Sequence, residues 1–311
     1  MKNLIYRLKG IFAFVIIFTL AGCTTPIEDD NNKLSIVTSI FPQYDFIKEI
    51  AKGSDIMLDM LVPAGAESHS FEPTISDIKM IQNCDMFIYI GGESEAWVDT
   101  ILNSVDLSNI KVVKLMDIID DKLEEDIEHE GHIHKDVVDE HIWTSPKNAY
   151  NIVSYLLQVM KDIDPLNADL YEANTKSYLE EINTLSDDLT NAINNGSRDT
   201  IVVGDRFPFS YLARDYHLNY YSAFNSCSAD AEASAATLAT LIDKVKEDNI
   251  PIVFYIEYSD EKMADVICES TGAKKLLLHS CHTVSNKDMA DGYNYITLMR
   301  QNIEHLKEAL G

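Results

Sequence analysis

The chain is 311 residues long, 46% hydrophobic and 24% charged, the composition of a well-cored globular protein with room for two domains. Its formal net charge of -26 argues against nucleic acid as a partner and against docking on anionic lipid by charge. Such acidity suits a protein that attracts cations, and equally one that it merely keeps soluble.

Lys2, Arg7 and Lys9 flank a short apolar stretch at 11–20, organised like an export signal and too short to span a bilayer. Leu20-Ala21-Gly22-Cys23 follows and resembles the lipobox of bacterial lipoproteins. Cys23 is therefore expected to carry lipid, with 1–22 removed and the polar stretch 23–33 serving as a tether on the outer face of the cytoplasmic membrane. Cys84, Cys227, Cys268 and Cys281 contain no CxxC pair, so no disulfide is assigned, and buried free thiols are expected for Cys84 and Cys268.

A strand is predicted at 34–39, a helix at 41–50 opened by Pro42, and a second strand at 56–61. The loop at 62–65 sits at that strand's carboxyl end, where open α/β sheets place ligand loops, and runs into His69. A helix at 74–84, a strand at 86–90, a helix at 93–103 and a strand at 111–115 follow. The alternation predicts a mostly parallel sheet with covering helices in residues 34–165.

Residues 124–140 break the pattern. Of nine histidines in the chain, His129, His132, His134 and His141 crowd into or beside this acidic segment. With Gly131 inside and no apolar period, it reads as a mobile loop. Imidazoles among carboxylates suit zinc, so His129, His132 and His134 are expected to capture metal loosely and pass it on.

Ser145-Pro146 starts a helix to about 162, and 168–193 is one long amphipathic pattern that Asn195-Gly196 stops. Its length suffices to join two lobes, so 166–195 is assigned as a linking helix. Residues 196–311 repeat the alternation, with strands at 201–203, 218–221, 252–256 and 275–278 and helices at 210–216, 237–248, 261–270 and 293–310. Asp205, Glu257 and His279 lie just past strand ends.

HSFEP at 69–73, GGESEAW at 91–97, HIWTSPKNA at 141–149, DRFPFSYLARDY at 205–216, FYIE at 254–257 and ESTGAKKL at 269–276 occur in one order on this β/α pattern. With them the chain resembles the zinc/manganese solute-binding lipoproteins of ABC importers, especially the zinc branch. The resemblance implies two Rossmann-like α/β lobes joined by a rigid helix, one metal in the cleft, an ABC permease as partner and no catalysis. It places the first ligand on His69, the second on His141, the third on Arg206 and the fourth on His279. Arg206 and His279 depart from the family pattern. An arginine has no lone pair to offer and is expected to turn toward Asp205, Glu232 or Glu257. His69, His141 and His279 would then bind the metal, with Asp205, Cys227, Glu257 or His282 as candidates for the fourth place. Three imidazoles favour zinc, with manganese the within-family alternative. A metal-binding adhesin and a secreted zinc hydrolase are the competing classes. The hydrolase is disfavoured because the chain has neither HExxH nor Gly-x-Ser-x-Gly. A monomer is expected.

Overall fold

Residues 33–129, 132–224 and 234–311 are described by the structure, a computed structural model, without the side chains of 125–137. The export signal, Cys23, Cys227 and Glu232 lie outside the described residues.

Runs rich in β-branched and aromatic residues become strands because such side chains fit a pleated surface covered on both faces. In the first lobe the strands are β1 (Ser35–Thr38), β2 (Met57–Met60), β3 (Met86–Tyr89) and β4 (Lys111–Lys114), of which the half-exposed edge strand β2, MLDM, has no such residue. They pair in the order β2-β1-β3-β4, all parallel. Between them run α1 (Phe41–Ile50), α2 (Ile75–Asn83) and α3 (Ala96–Leu102). Thr74 caps α2 by accepting from the backbone of Asp77, whose own side chain accepts in return from Thr74 N–H.

Residues 124–138 correct the expectation of an unpaired loop. Strands β5 (Glu124–His129) and β6 (His132–Val138) pair antiparallel, with a register shift between Glu125 and Ile127. Two backbone segments can satisfy each other in a ladder whatever their charge, and Ile127, Ile133, Val137 and Val138 supply strand-forming residues.

Helices α4 (Pro146–Ile163) and α5 (Ala168–Asn194) follow. On α5, Tyr171, Tyr178, Ile182, Leu185 and Leu189 recur at helical spacing and are all buried. That face packs on α1 and α4 of the first lobe and on the last helix of the second.

The second lobe holds β7 (Thr200–Val203), α6 (Ser210–Tyr216), β8 (Asn219–Ser222), α7 (Ala235–Glu247), β9 (Ile252–Tyr255), α8 (Lys262–Thr271) and β10 (Lys274–Leu277), closed by α9 (Asn286–Ala290) and α10 (Tyr295–Leu310). Its sheet, β10-β9-β7-β8, is parallel throughout. Helix α9 was not expected. Both sheets follow period two: Ile36, Ile88, Val203 and Phe254 join one central core, while Val37 and Phe87, or Val202 and Val253, face the outer layers.

One buried acid ties the parts together. Asp45 on α1 accepts from the backbone N–H of Tyr295 at 2.9 Å, where α10 begins, and from Tyr178 Oη on α5 at 3.4 Å. Burial pushes its pKa up to about 6. Cys84 and Cys281 are buried free thiols, whereas Cys268 is half-buried because it sits toward the exposed side of α8.

Candidate metal centre

Three loops past strand ends converge on one cleft between the lobes. The first follows β2 and makes a short 3-10 turn, Ser68–Ser70, that carries His69. Glu67 starts that turn by accepting from the His69 backbone N–H at 3.3 Å. The second follows the β5–β6 ribbon and carries His141 immediately before the turn Ile142–Thr144. The third follows β10 and carries His282.

The rings of His69, His141 and His282 form a near-equilateral triangle, with centroids 5.8, 5.2 and 5.5 Å apart. One nitrogen from each lies within 4.8 Å of the others. Tetrahedral zinc with bonds of ~2.0–2.1 Å puts ligand nitrogens ~3.3 Å apart, so closing on an ion takes shifts of about an ångström.

Each ring is held from behind. Asp139 Oδ1 lies 2.8 Å from His141 Nδ1 and also accepts the His141 backbone N–H at 2.8 Å. Burial alone would raise the Asp139 pKa, but its bonds to His141 override that and hold it below the usual value. Glu140 Oε1 lies 3.7 Å from His69 Nδ1. These contacts turn the Nε2 atoms of His69 and His141 away from their carboxylates. His282 Nε2 lies 2.6 Å from Ser68 Oγ, and its ring stacks edge-on to Trp143 at 5.1 Å. Burial first, then the neighbouring imidazoles, push the pKa of His69 down and that of His282 well down. Both rings therefore stay neutral, the form that donates to a metal.

Glu140 can reach His69 because Gly92 is a glycine. A Cβ there would overlap both the Glu140 carboxylate and its Cβ. Glu95 receives the backbone N–H groups of Ile90 (2.6 Å) and Gly91 (2.8 Å), fixing the same turn, and burial pushes its pKa up to about 7.

The structure brings together His69, His141 and His282, but not His279. His279 is buried against its own loop: its Nδ1 accepts the Cys281 backbone N–H at 2.9 Å and lies 3.6 Å from Glu257 Oε1. Asn302 on α10 grips its backbone from both sides. Cys281 adopts a left-handed backbone (φ 61°), which reverses the chain and delivers the next residue, His282, to the cleft. The pair of histidines at 279 and 282 was the signal available in the sequence, and the left-handed residue between them was not legible.

Glu257 and Asp205 also act on backbone. Glu257 accepts from Ser280 N–H and Oγ and from His282 N–H, so it shapes the loop. Asp205 Oδ1 accepts the Arg206 N–H at 2.8 Å, and burial raises its pKa. Among the described residues Arg206 reaches a carboxylate that the sequence reading did not name, Glu67 of the first lobe, 3.1 Å away, while Glu232 lies outside the described residues. Sequence spacing could not show this because the two residues lie 139 positions apart. His129, His132 and His134 have backbones in the ribbon, and their side chains lie outside the described residues.

The family model for the periplasmic component A of zinc-uptake complexes, ZnuA, matches residues 36–309. The chain belongs to this family. The family is one of uptake components, not of enzymes, which removes the hydrolase. The zinc-binding lipoprotein AdcA of Streptococcus pneumoniae is 30% identical over 309 residues, which is 97% of this chain and 60% of AdcA. The crystal structure of Zn(II)-bound AdcA from that organism matches with a TM-score of 0.74 at 29% identity, covering 89% of this chain and 58% of AdcA. This chain thus spans about 60% of the length of that relative. The high-affinity zinc uptake system protein ZnuA of Bacillus subtilis is 31% identical over 313 residues, 97% of each chain. The laminin binding protein Lmb of Streptococcus agalactiae, described as bifunctional with adhesin and metal transporting activity, matches with a TM-score of 0.76 at 27% identity, over 89% of this chain and all of that one.

Proposed function

We propose that this protein is an extracytoplasmic receptor that takes Zn2+ into the cleft between its lobes and delivers it to the permease of an ABC importer. His69, His141 and His282 are the ligands in this reading, with water or a small anion in the fourth place. The observation that carries it is the triangle of three imidazoles in the cleft, one buried and two half-buried, two of them backed by carboxylates. Among the described residues no carboxylate oxygen joins that cluster, and a nitrogen-only set suits zinc better than manganese. The zinc-binding names of AdcA and ZnuA support the choice of cargo. Residues 1–22 act as the export signal, Cys23 carries the lipid anchor, and 23–33 form the tether. The lipoprotein character of AdcA supports that part.

Zinc titration calorimetry tests the ligand set. His69→Ala, His141→Ala and His282→Ala should each weaken the tight site by more than the ~10–100-fold that loss of an outer partner costs. His279→Ala should cost less than any of them. A tight site indifferent to His282→Ala, or a loss on His279→Ala equal to that of His69→Ala, would overturn the assignment.

A further inference from the structure

We infer that Arg206 is a positioning residue that latches the second lobe onto the turn carrying His69, so that closing the cleft and placing that imidazole are one event. The inference deepens the zinc-receptor reading and rests on it.

Three hydrogen bonds from the second lobe land within four residues of the first. Thr283 Oγ1 accepts from Gly65 N–H at 2.9 Å, His282 Nε2 lies 2.6 Å from Ser68 Oγ, and Arg206 Nη2 donates to Glu67 Oε2 at 3.1 Å. The Arg206 bond differs from the others in where it leads. Glu67 uses its second oxygen to accept the backbone N–H of His69 at 3.3 Å. One carboxylate therefore connects a guanidinium on one lobe to a metal-site backbone on the other. Arg206 is itself fixed, since its own N–H donates to Asp205 at 2.8 Å.

Electrostatics separates this role from a bland one. The Arg206 side chain is 16% exposed and lines the same cleft as the three imidazoles. A guanidinium that merely occupied the cleft would repel a dication, and removing it would tighten zinc binding. Glu67 changes that sign. The pair is neutral overall, with the guanidinium 3.1 Å from the half-exposed carboxylate. What the pair then contributes is order in the turn, so removing either member should loosen His69 and weaken binding. The latch does not coordinate metal, because arginine cannot.

The test is a mutant cycle on the full-length protein: Arg206→Ala, Glu67→Gln, the double variant, and Arg206→Lys. Zinc affinity is read by chelator competition, site geometry from the visible spectrum of the cobalt(II)-substituted protein, and order in residues 65–70 by hydrogen exchange in the metal-free protein. Arg206→Ala and Glu67→Gln should each weaken zinc ~10–100-fold, and the double variant should be no weaker than the worse single. Arg206→Lys should recover part of the loss, because it keeps the charge without the planar fork. Both single variants should alter the cobalt spectrum and lose exchange protection at 65–70. Tighter or unchanged zinc binding in Arg206→Ala, or additive losses in the cycle, would overturn the latch. Absence of a tight zinc site in the parent protein would sink the receptor reading instead. The exchange readout then decides the latch separately: protection lost in both singles upholds it, and protection equal to the parent's rejects it.

Discussion

At the scale of single residues, the proposed metal site depends on how its imidazoles are aimed. Asp139 is the sharpest example, because one oxygen holds both the ring and the backbone of His141. Asp139→Asn preserves the shape but removes the charge that favours one tautomer, so zinc affinity should fall ~10–100-fold with little change in the metal-free melting temperature. Calorimetry beside thermal melts checks it, and a fall in both would mean that Asp139 is structural only. His69 stood out in the sequence because it follows a strand end and precedes a helix, and the family resemblance singled out both it and His141 as candidates. His282 was legible only as one of several candidates. Its selection over His279 depends on the backbone sign at Cys281 and on Asn302, which is 23 positions from His279. Arg206 was read as a non-ligand from its chemistry, whereas its contact with Glu67 is set by lobe packing, which no local pattern encodes.

At the scale of elements, the β/α alternation carried nearly all of the fold. Strands β3 and β9 are short and almost wholly apolar, and their neighbours bear glycine, proline or capping residues, so their type was unambiguous. The ribbon β5–β6 escaped because its pairing owes more to the backbone than to any apolar stripe. Its base is nonetheless well built. Tyr211 Oη accepts from Leu123 N–H at 3.1 Å and donates to Asp139 O at 2.9 Å, while Asp139 N–H donates to Leu123 O at 2.8 Å. The two ends of the ribbon are thereby pinned side by side, independently of what lies between them. Replacing residues 124–138 with a short glycine link should therefore leave the tight zinc site intact and remove only weak, additional zinc equivalents. Loss of the tight site by calorimetry would show instead that the ribbon shapes the cleft.

At the scale of the whole molecule, titration sets a pH window. Glu95 has its pKa raised by burial from 4.5 to about 7. Between those values the folded protein keeps a proton that the unfolded chain has lost, so stability is present below the lower value and lost as pH rises through the upper one. His69 and His282 act in the opposite sense. Their depressed pKa values leave the folded rings neutral while the unfolded chain takes up protons below ~6.5, so stability falls as pH drops under that value. Glu95→Gln keeps an acceptor for the Ile90 and Gly91 N–H groups and removes only the loss of stability on the rising-pH side. The metal-free variant should match the parent near pH 4.5, gain on it up to about pH 7 and level off above that. The gain should reach roughly 3 kcal/mol, since each tenfold change in proton affinity is worth about 1.4 kcal/mol. Chemical denaturation across that range checks it, and parallel profiles would show that Glu95 titrates normally. The same depressed histidines move the acid limit of zinc binding. An unperturbed imidazole would compete with protons near ~6.5, the value expected from the sequence alone, whereas rings already held neutral yield to protons only at lower pH. Zinc affinity should thus stay level from pH 7.5 through 6.5 and fall below it, with few protons released on binding at pH 7. A decline already well under way at pH 6.5 would mean that the cleft does not depress its histidines.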